Sequence, residues 1–120
     1  MTIEECYIQL HGDYADAKKR LMTDRLVEKF MLKFPADPTM QELVSAVAAG
    51  DIATSFRAVH TLKGVAANLA FTELQKAASE LTEQLRDQKN QADPALYEKV
   101  QAAYQNTVSV IESYRNEQNA

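Results

Sequence analysis

The chain has 120 residues, with 46% hydrophobic and 25% charged residues and a net charge of −4. A chain of this length buries enough surface to hold a core without disulfides or metal, and it reads as a single domain over residues 1–120. The modest negative charge argues against nucleic acid, whose phosphates call for clustered Lys and Arg.

Three Gly and three Pro leave few turn-makers, and the second half is rich in strong helix formers. A short helix is predicted over residues 3–10, broken at Gly12-Asp13, and Asp13 caps a second helix running to about residue 22. Thr23 opens a third, with Leu26, Val27, Phe30, Met31 and Phe34 expected to face inward. The stretch from Pro35 to Pro38 ends it. Thr39 is expected to cap a fourth helix that turns Met40, Leu43, Val44 and Val47 inward. Gly50-Asp51 reads as a helix stop followed by an N-cap, and the fifth helix runs from there to about residue 69. Thr72 is expected to cap a sixth, with Gln75 completing a capping box and Leu74, Ala77, Ala78, Leu81 and Leu85 as its apolar stripe. Asp93 followed by Pro94 starts the last helix, whose inward side uses Leu96, Tyr97, Val100, Tyr104, Thr107, Val108 and Ile111. No segment alternates with period two. The fold class is therefore all-α, and four helices are long and one-sided enough to close an antiparallel four-helix bundle, with short additional N-terminal helices and a bundle core over about residues 23–115.

Cys6 is the only cysteine, so no internal disulfide forms, as suits a reducing compartment. No run approaches the ~18 apolar residues of a membrane span, and the acidic N-terminus resembles no signal peptide. The expected location is the cytoplasm and the expected state a monomer. His11 reads as a loop histidine. Tyr97, Tyr104 and Tyr114 read as packing residues, and Met22, Met31 and Met40 as core or near-core fillers.

The fifth helix carries the chemistry. At 100° per residue, Ile52, Val59, Leu62, Ala66 and Leu69 form its core stripe. His60 lies beside that stripe, and its neighbours one and two turns away are Ala53, Phe56, Arg57, Lys63, Gly64 and Ala67. Three of these are small. Gly64 sits mid-helix, where glycine costs ~1 kcal/mol against alanine, so close approach of another body beside His60 would account for it. A neutral imidazole is a nucleophile. Displayed on a flat face, it can accept a group from a second protein, and Lys63 can neutralise the oxygens of a phosphoryl group. The chain has neither a glycine-rich phosphate loop nor an evident carboxylate cluster for Mg²⁺, so the metal and most of the catalysis are assigned to the partner, with no cofactor expected here. By spacing alone, however, a histidine on a helix is ordinarily a surface residue.

The run His60-Thr61-Leu62-Lys63-Gly64, followed by Val65-Ala66-Ala67-Asn68-Leu69, resembles the motif of the histidine phosphotransfer (HPt) family, an H-x-L-K-G core followed by small residues and N-L-G. Gly50-Asp51 resembles that family's helix start, and Leu74, Ala78 and Leu81-Thr82-Glu83 its following helix; the resemblance spans about residues 20 to 115. It implies a four-helix bundle in which His60 takes a phosphoryl group from the aspartyl phosphate of one receiver domain and passes it to another. Lys63 would support the group and Gly64 would give it room. It also implies a polar partner for the imidazole on the next helix, where Gln75, Ser79, Thr82 and Arg86 form a stripe and Thr82 matches best. The expected partner-contact set is thus Ala53, Phe56, Arg57, Ala67, Ser79, Thr82 and Arg86. The chain departs from the family at Ala70, where glycine is usual. A left-handed alanine costs ~1–2 kcal/mol, so Asn68 or a different helix ending is expected to absorb the turn. Two other functions fit the same pattern: a helical adaptor that binds receiver domains without carrying phosphate, and a phosphoacceptor domain from a larger hybrid histidine kinase.

Overall fold

Capping residues and apolar periodicity place the helices where the sequence predicts them. The computed structural model describes residues 1–119 and contains helices α1 (Ile3–Gln9), α2 (Tyr14–Leu21), α3 (Asp24–Lys33), α4 (Thr39–Ala49), α5 (Ile52–Asn68), α6 (Thr72–Leu85) and α7 (Pro94–Gln118), with a 3-10 turn at Phe34–Ala36. There is no strand among the described residues. Four predicted caps form as expected: Asp13, Thr23, Asp51 and Asp93 each accept a backbone N–H from the first turn of the helix that follows.

Two caps are corrected. Thr39 is the first residue of α4 and is buried; its N–H is held by the Asp37 carboxylate at 2.8 Å. Thr72 is likewise the first residue of α6, without a side-chain cap or capping box. There the Glu73 N–H donates to the His11 carbonyl at 3.1 Å, so the donor a local cap would satisfy is taken by a distant loop.

The helices form a bundle in which α5 packs between α4 and α6, and α6 packs on α7. Val27, Met31, Leu43, Val59, Leu62, Leu74, Leu81, Leu85, Val100 and Ile111 are among the residues that meet in the core. The α6 stripe is as predicted. On α7 the inward line is shifted to Val100, Ala103, Thr107, Val110, Ile111 and Tyr114, while Leu96, Tyr97, Tyr104 and Val108 lie at its margin. On α3, Leu26 and Phe30 face outward with Met22, contrary to the predicted core roles. The bundle covers only the side of this segment that carries Val27, Met31 and Phe34, so the residues one step round stay in solvent.

Both ends of the bundle are tied across the chain. At one end the Gln91 side chain donates to the Gly50 carbonyl at 3.2 Å, while Gln84 donates to the Gln91 carbonyl at 3.0 Å. At the other end the N-terminal segment closes the α5–α6 turn. The Tyr7 hydroxyl donates to the Leu69 carbonyl at 2.8 Å and the Asp13 N–H to the Ala70 carbonyl at 2.9 Å. Both α4 and α5 end in the same hydrogen-bond pattern. In α4, Gly50 N–H donates to Val47 and Asp51 N–H to Ala46; in α5, Ala70 N–H donates to Ala67 and Phe71 N–H to Ala66. The residue at the turn is left-handed in each, with φ +69° at Gly50 and +55° at Ala70. Asn68 stays helical, so Ala70 itself carries the strain, and its methyl is buried in the core in return.

Gly12 lets this N-terminal closure form. A Cβ there would lie 2.7 Å from the Ala70 carbonyl oxygen, 2.8 Å from Leu10 Cδ1 and 2.9 Å from Tyr7 Cδ2. At Gly50 the nearest atom would be Gln91 Nε2 at 3.5 Å, leaving only the backbone preference. Gly50→Ala should therefore cost about 1 kcal/mol. Gly12→Ala should cost about 2 kcal/mol or more, because overpacking against a fixed carbonyl forces the backbone apart. Urea denaturation of the two variants checks the order, and a smaller loss at Gly12 than at Gly50 would contradict it.

Candidate functional site

The helix that presents His60 is anchored first at its N-terminus. The Asp51 carboxylate accepts the Thr54 N–H at 3.0 Å and the Thr54 hydroxyl at 2.7 Å. The hydroxyl first, then the amide, hold this carboxyl below its ordinary pKa. From there Ser55, Ala58, Val59, Leu62 and Ala66 are buried, which fixes the rotation of α5 and turns His60, Thr61 and Gly64 to solvent. Phe56, Lys63 and Ala67 are half-buried around them.

The imidazole does not stand alone on this face. It stacks on Phe56 with ring centroids 5.9 Å apart and planes within 6° of parallel. The Arg86 guanidinium of α6 lies over the same phenyl ring, 5.7 Å from its centroid. Arg86 in turn grips the Glu83 carboxylate with both arms, Nη2 to Oε1 at 2.8 Å and Nε to Oε2 at 3.1 Å. That pairing is the main reason Glu83 sits below the ordinary carboxylate range, and the charges of Lys63 and His60 act on it in the same direction. The face around the imidazole thus carries two cations, Lys63 and Arg86, and one anion, Glu83.

Gly64 has no structural reason of its own. A Cβ built there meets no atom within 4 Å, so the helix accepts a residue costing ~1 kcal/mol with nothing inside the chain filling the space gained.

The other expected contact residues divide. Phe56 is brought to the imidazole and Arg86 to the Phe56 ring, as described. Ala53, Ala67 and Ser79 are half-buried on α5 and α6, and none makes a side-chain hydrogen bond to His60. Arg57 turns to the far side of α5, where Nη2 donates to Thr54 Oγ1 at 3.1 Å. Thr82 is a correction: it is fully buried, and its hydroxyl donates to the Ala78 carbonyl at 2.6 Å. It can neither touch a partner nor reach the imidazole. Four residues after Ala78 and three before Leu85, it belongs to the core stripe, and the back-bond satisfies its one polar group. The polar face of α6 instead runs Gln75, Ser79, Glu83, spaced by four, with Arg86 three further on. Glu83 is the residue that sequence reasoning missed, and this spacing was the signal for it.

Among the described residues, no group of three or more His, Cys, Asp or Glu side chains is placed to hold a metal ion, and no helix is long and apolar enough to cross a membrane. A cleft of about 590 Å³ opens beyond the site, between Leu21, Phe30 and Phe34 on one wall and Val65 and Leu69 on the other. His60 does not line it.

The family model described as the Hpt domain matches residues 25–110. No curated protein and no solved structure matches the chain. The matched stretch runs from α3 into α7 and takes in every residue of the His60 face, while α1 and α2 lie outside it. Domains of this family are helical bundles that act as phosphocarrier modules and not as kinases. With the histidine run displayed on α5 and the family model spanning that helix and both its neighbours, the chain belongs to the Hpt domain family.

Proposed function

We propose that this protein relays a phosphoryl group between receiver-domain aspartates through His60, in a two-component phosphorelay. The observation that carries the reading is the pairing of an exposed imidazole with Gly64, whose missing side chain leaves room that no atom of the fold uses. A receiver domain seated on this face would bring its aspartyl phosphate to the imidazole. The imidazole nitrogen lone pair attacks phosphorus, the acyl P–O bond breaks, and its electron pair returns to the aspartate carboxylate. The imidazole becomes a phosphoimidazolium, and the reverse step delivers the group to a second receiver. Lys63 offers a cation to the phosphoryl oxygens. The receiver supplies the metal and most of the transition-state stabilisation. The whole chain acts as one cytoplasmic, monomeric unit that binds receiver domains of response regulators and hybrid kinases, without a kinase site of its own.

Two experiments test the reading. Incubation with a phosphorylated receiver domain should place an acid-labile, alkali-stable label on the wild type and none on His60→Gln. Equal label on both proteins, or none from any receiver of the host, rejects it. At Gly64 the effects on stability and on transfer should separate. Gly64→Ala should stabilise the bundle by about 1 kcal/mol in urea denaturation. Gly64→Gln should remain as well folded as the wild type yet slow transfer by at least about tenfold, since a misplacement of about 1 Å at a reacting centre can cost 10²-fold. Transfer at the wild-type rate by Gly64→Gln would remove the steric role assigned to this glycine.

A further inference from the structure

The arrangement of charge at His60 contains one group that phosphoryl chemistry does not call for. A phosphoryl group on the imidazole is a dianion, and the side chains within reach should be cationic or neutral. Lys63 and Arg86 meet that requirement, and Glu83 does not. Yet Glu83 is held in place by both arms of Arg86, Arg86 is fixed over Phe56, and Phe56 is stacked on the imidazole. The carboxylate lies in the field of Lys63 and His60 as well.

We infer that Glu83 is the resting counter-anion of the His60 site. While the imidazole is free, Glu83 occupies Arg86 and draws on Lys63, the two cations a phosphoryl group would use. Once the group is on the imidazole, the carboxylate and the phosphoryl oxygens compete for those cations and repel each other. Phosphohistidine is thereby kept less stable than the site's two cations alone would make it, so the carrier discharges to the next receiver and does not store the group. Arg86 moves its guanidinium between the two anions. Its planar fork suits either of them, and its place over Phe56 keeps it beside the ring on which the imidazole stacks. This inference rests on the phosphoacceptor role of His60 and adds the control of how tightly the group is held.

The test loads the full chain with potassium phosphoramidate and needs no receiver. The imidazole nitrogen attacks phosphorus, the P–N bond of the reagent breaks, and ammonia leaves with the electron pair. Loading is followed by ³¹P NMR, and the Arg86 side chain by its Nε–Hε signal. At low salt Glu83→Gln should load about three- to tenfold faster than the wild type, the scale of removing one exposed like charge. Glu83→Asp should stay near the wild-type rate. The gap should close at 1 M salt, where the screening length falls to about 3 Å; a merely structural role of Glu83 would not respond to salt in this way. In the wild type the Arg86 signal should shift as His60 is loaded. Equal loading by the wild type and Glu83→Gln at low salt, or an Arg86 signal unmoved by loading, overturns the assignment. If the wild type takes no more label from phosphoramidate than His60→Gln does, His60 is no phosphoacceptor and both readings fall. If loaded protein passes the group to no receiver while the Glu83→Gln effect holds, the relay reading fails and the counter-anion stands.

Discussion

The carbonyls of Leu69 and Ala70, where the His60 helix ends, are the points on which the rest of the structure depends. A helix C-terminus leaves carbonyls without intrahelical partners. Here Leu69 is met by the Tyr7 hydroxyl and Ala70 by the Asp13 amide. The loop that supplies them also returns the favour at the start of α6, where the His11 carbonyl takes the Glu73 N–H. One short segment therefore holds the end of α5 and the beginning of α6 together, and the contact is close enough that residue 12 has no room for a Cβ. The angle and register between α5 and α6 set by this turn decide that Glu83 and Arg86, and not Thr82, face the imidazole. The segment lies outside the stretch matched by the family model, yet it completes the hydrogen bonding of two helices inside that stretch.

At the site itself the fold supplies rigidity and little else. Five buried residues on α5 fix its rotation, and the stack from His60 through Phe56 to Arg86 fixes the ring. No hydrogen bond from a neighbouring side chain to the imidazole occurs among the described residues, so its orientation comes from stacking and helix geometry. The surface stays low because Gly64 adds nothing to it. On the proposed relay reading, a flat, preorganised imidazole suits a carrier that fits more than one partner, since each partner can bring its own catalytic groups to the same ring.

Much of this was legible in the sequence because it is local. Asp13, Thr23, Asp51 and Asp93 cap the helices that follow them, since an N-cap needs only residues within one turn. The exposed position of His60 follows from counting 100° steps around the apolar stripe. Thr39 and Thr72 look equally good as caps, but each is the first residue of its helix, with the Thr39 N–H taken by the Asp37 carboxylate and the Glu73 N–H by the His11 carbonyl. The first competitor is nearby and the second lies some sixty residues away. Thr82 fell on the polar face only by choosing one of two neighbouring rows on α6; the core took that row because Ala78 and Leu85 flank it. The α3 helix shows the same limit from the other side, since five apolar residues were available and the bundle covers only one face.

What the sequence by itself determined is the order and extent of the helices, the apolar members of the α6 core stripe with Val59, Leu62, Ala66 and Leu69 on α5, and the presence of a histidine beside a mid-helix glycine, because each follows from spacing within a single helix. What only the tertiary structure decided is which residues of α6 surround that histidine, how the N-terminal segment closes the turn, and which apolar residues remain in solvent. These depend on the rotation of one helix against another, and a shift of one residue, about 100° of helix rotation, exchanges a buried threonine for an exposed glutamate.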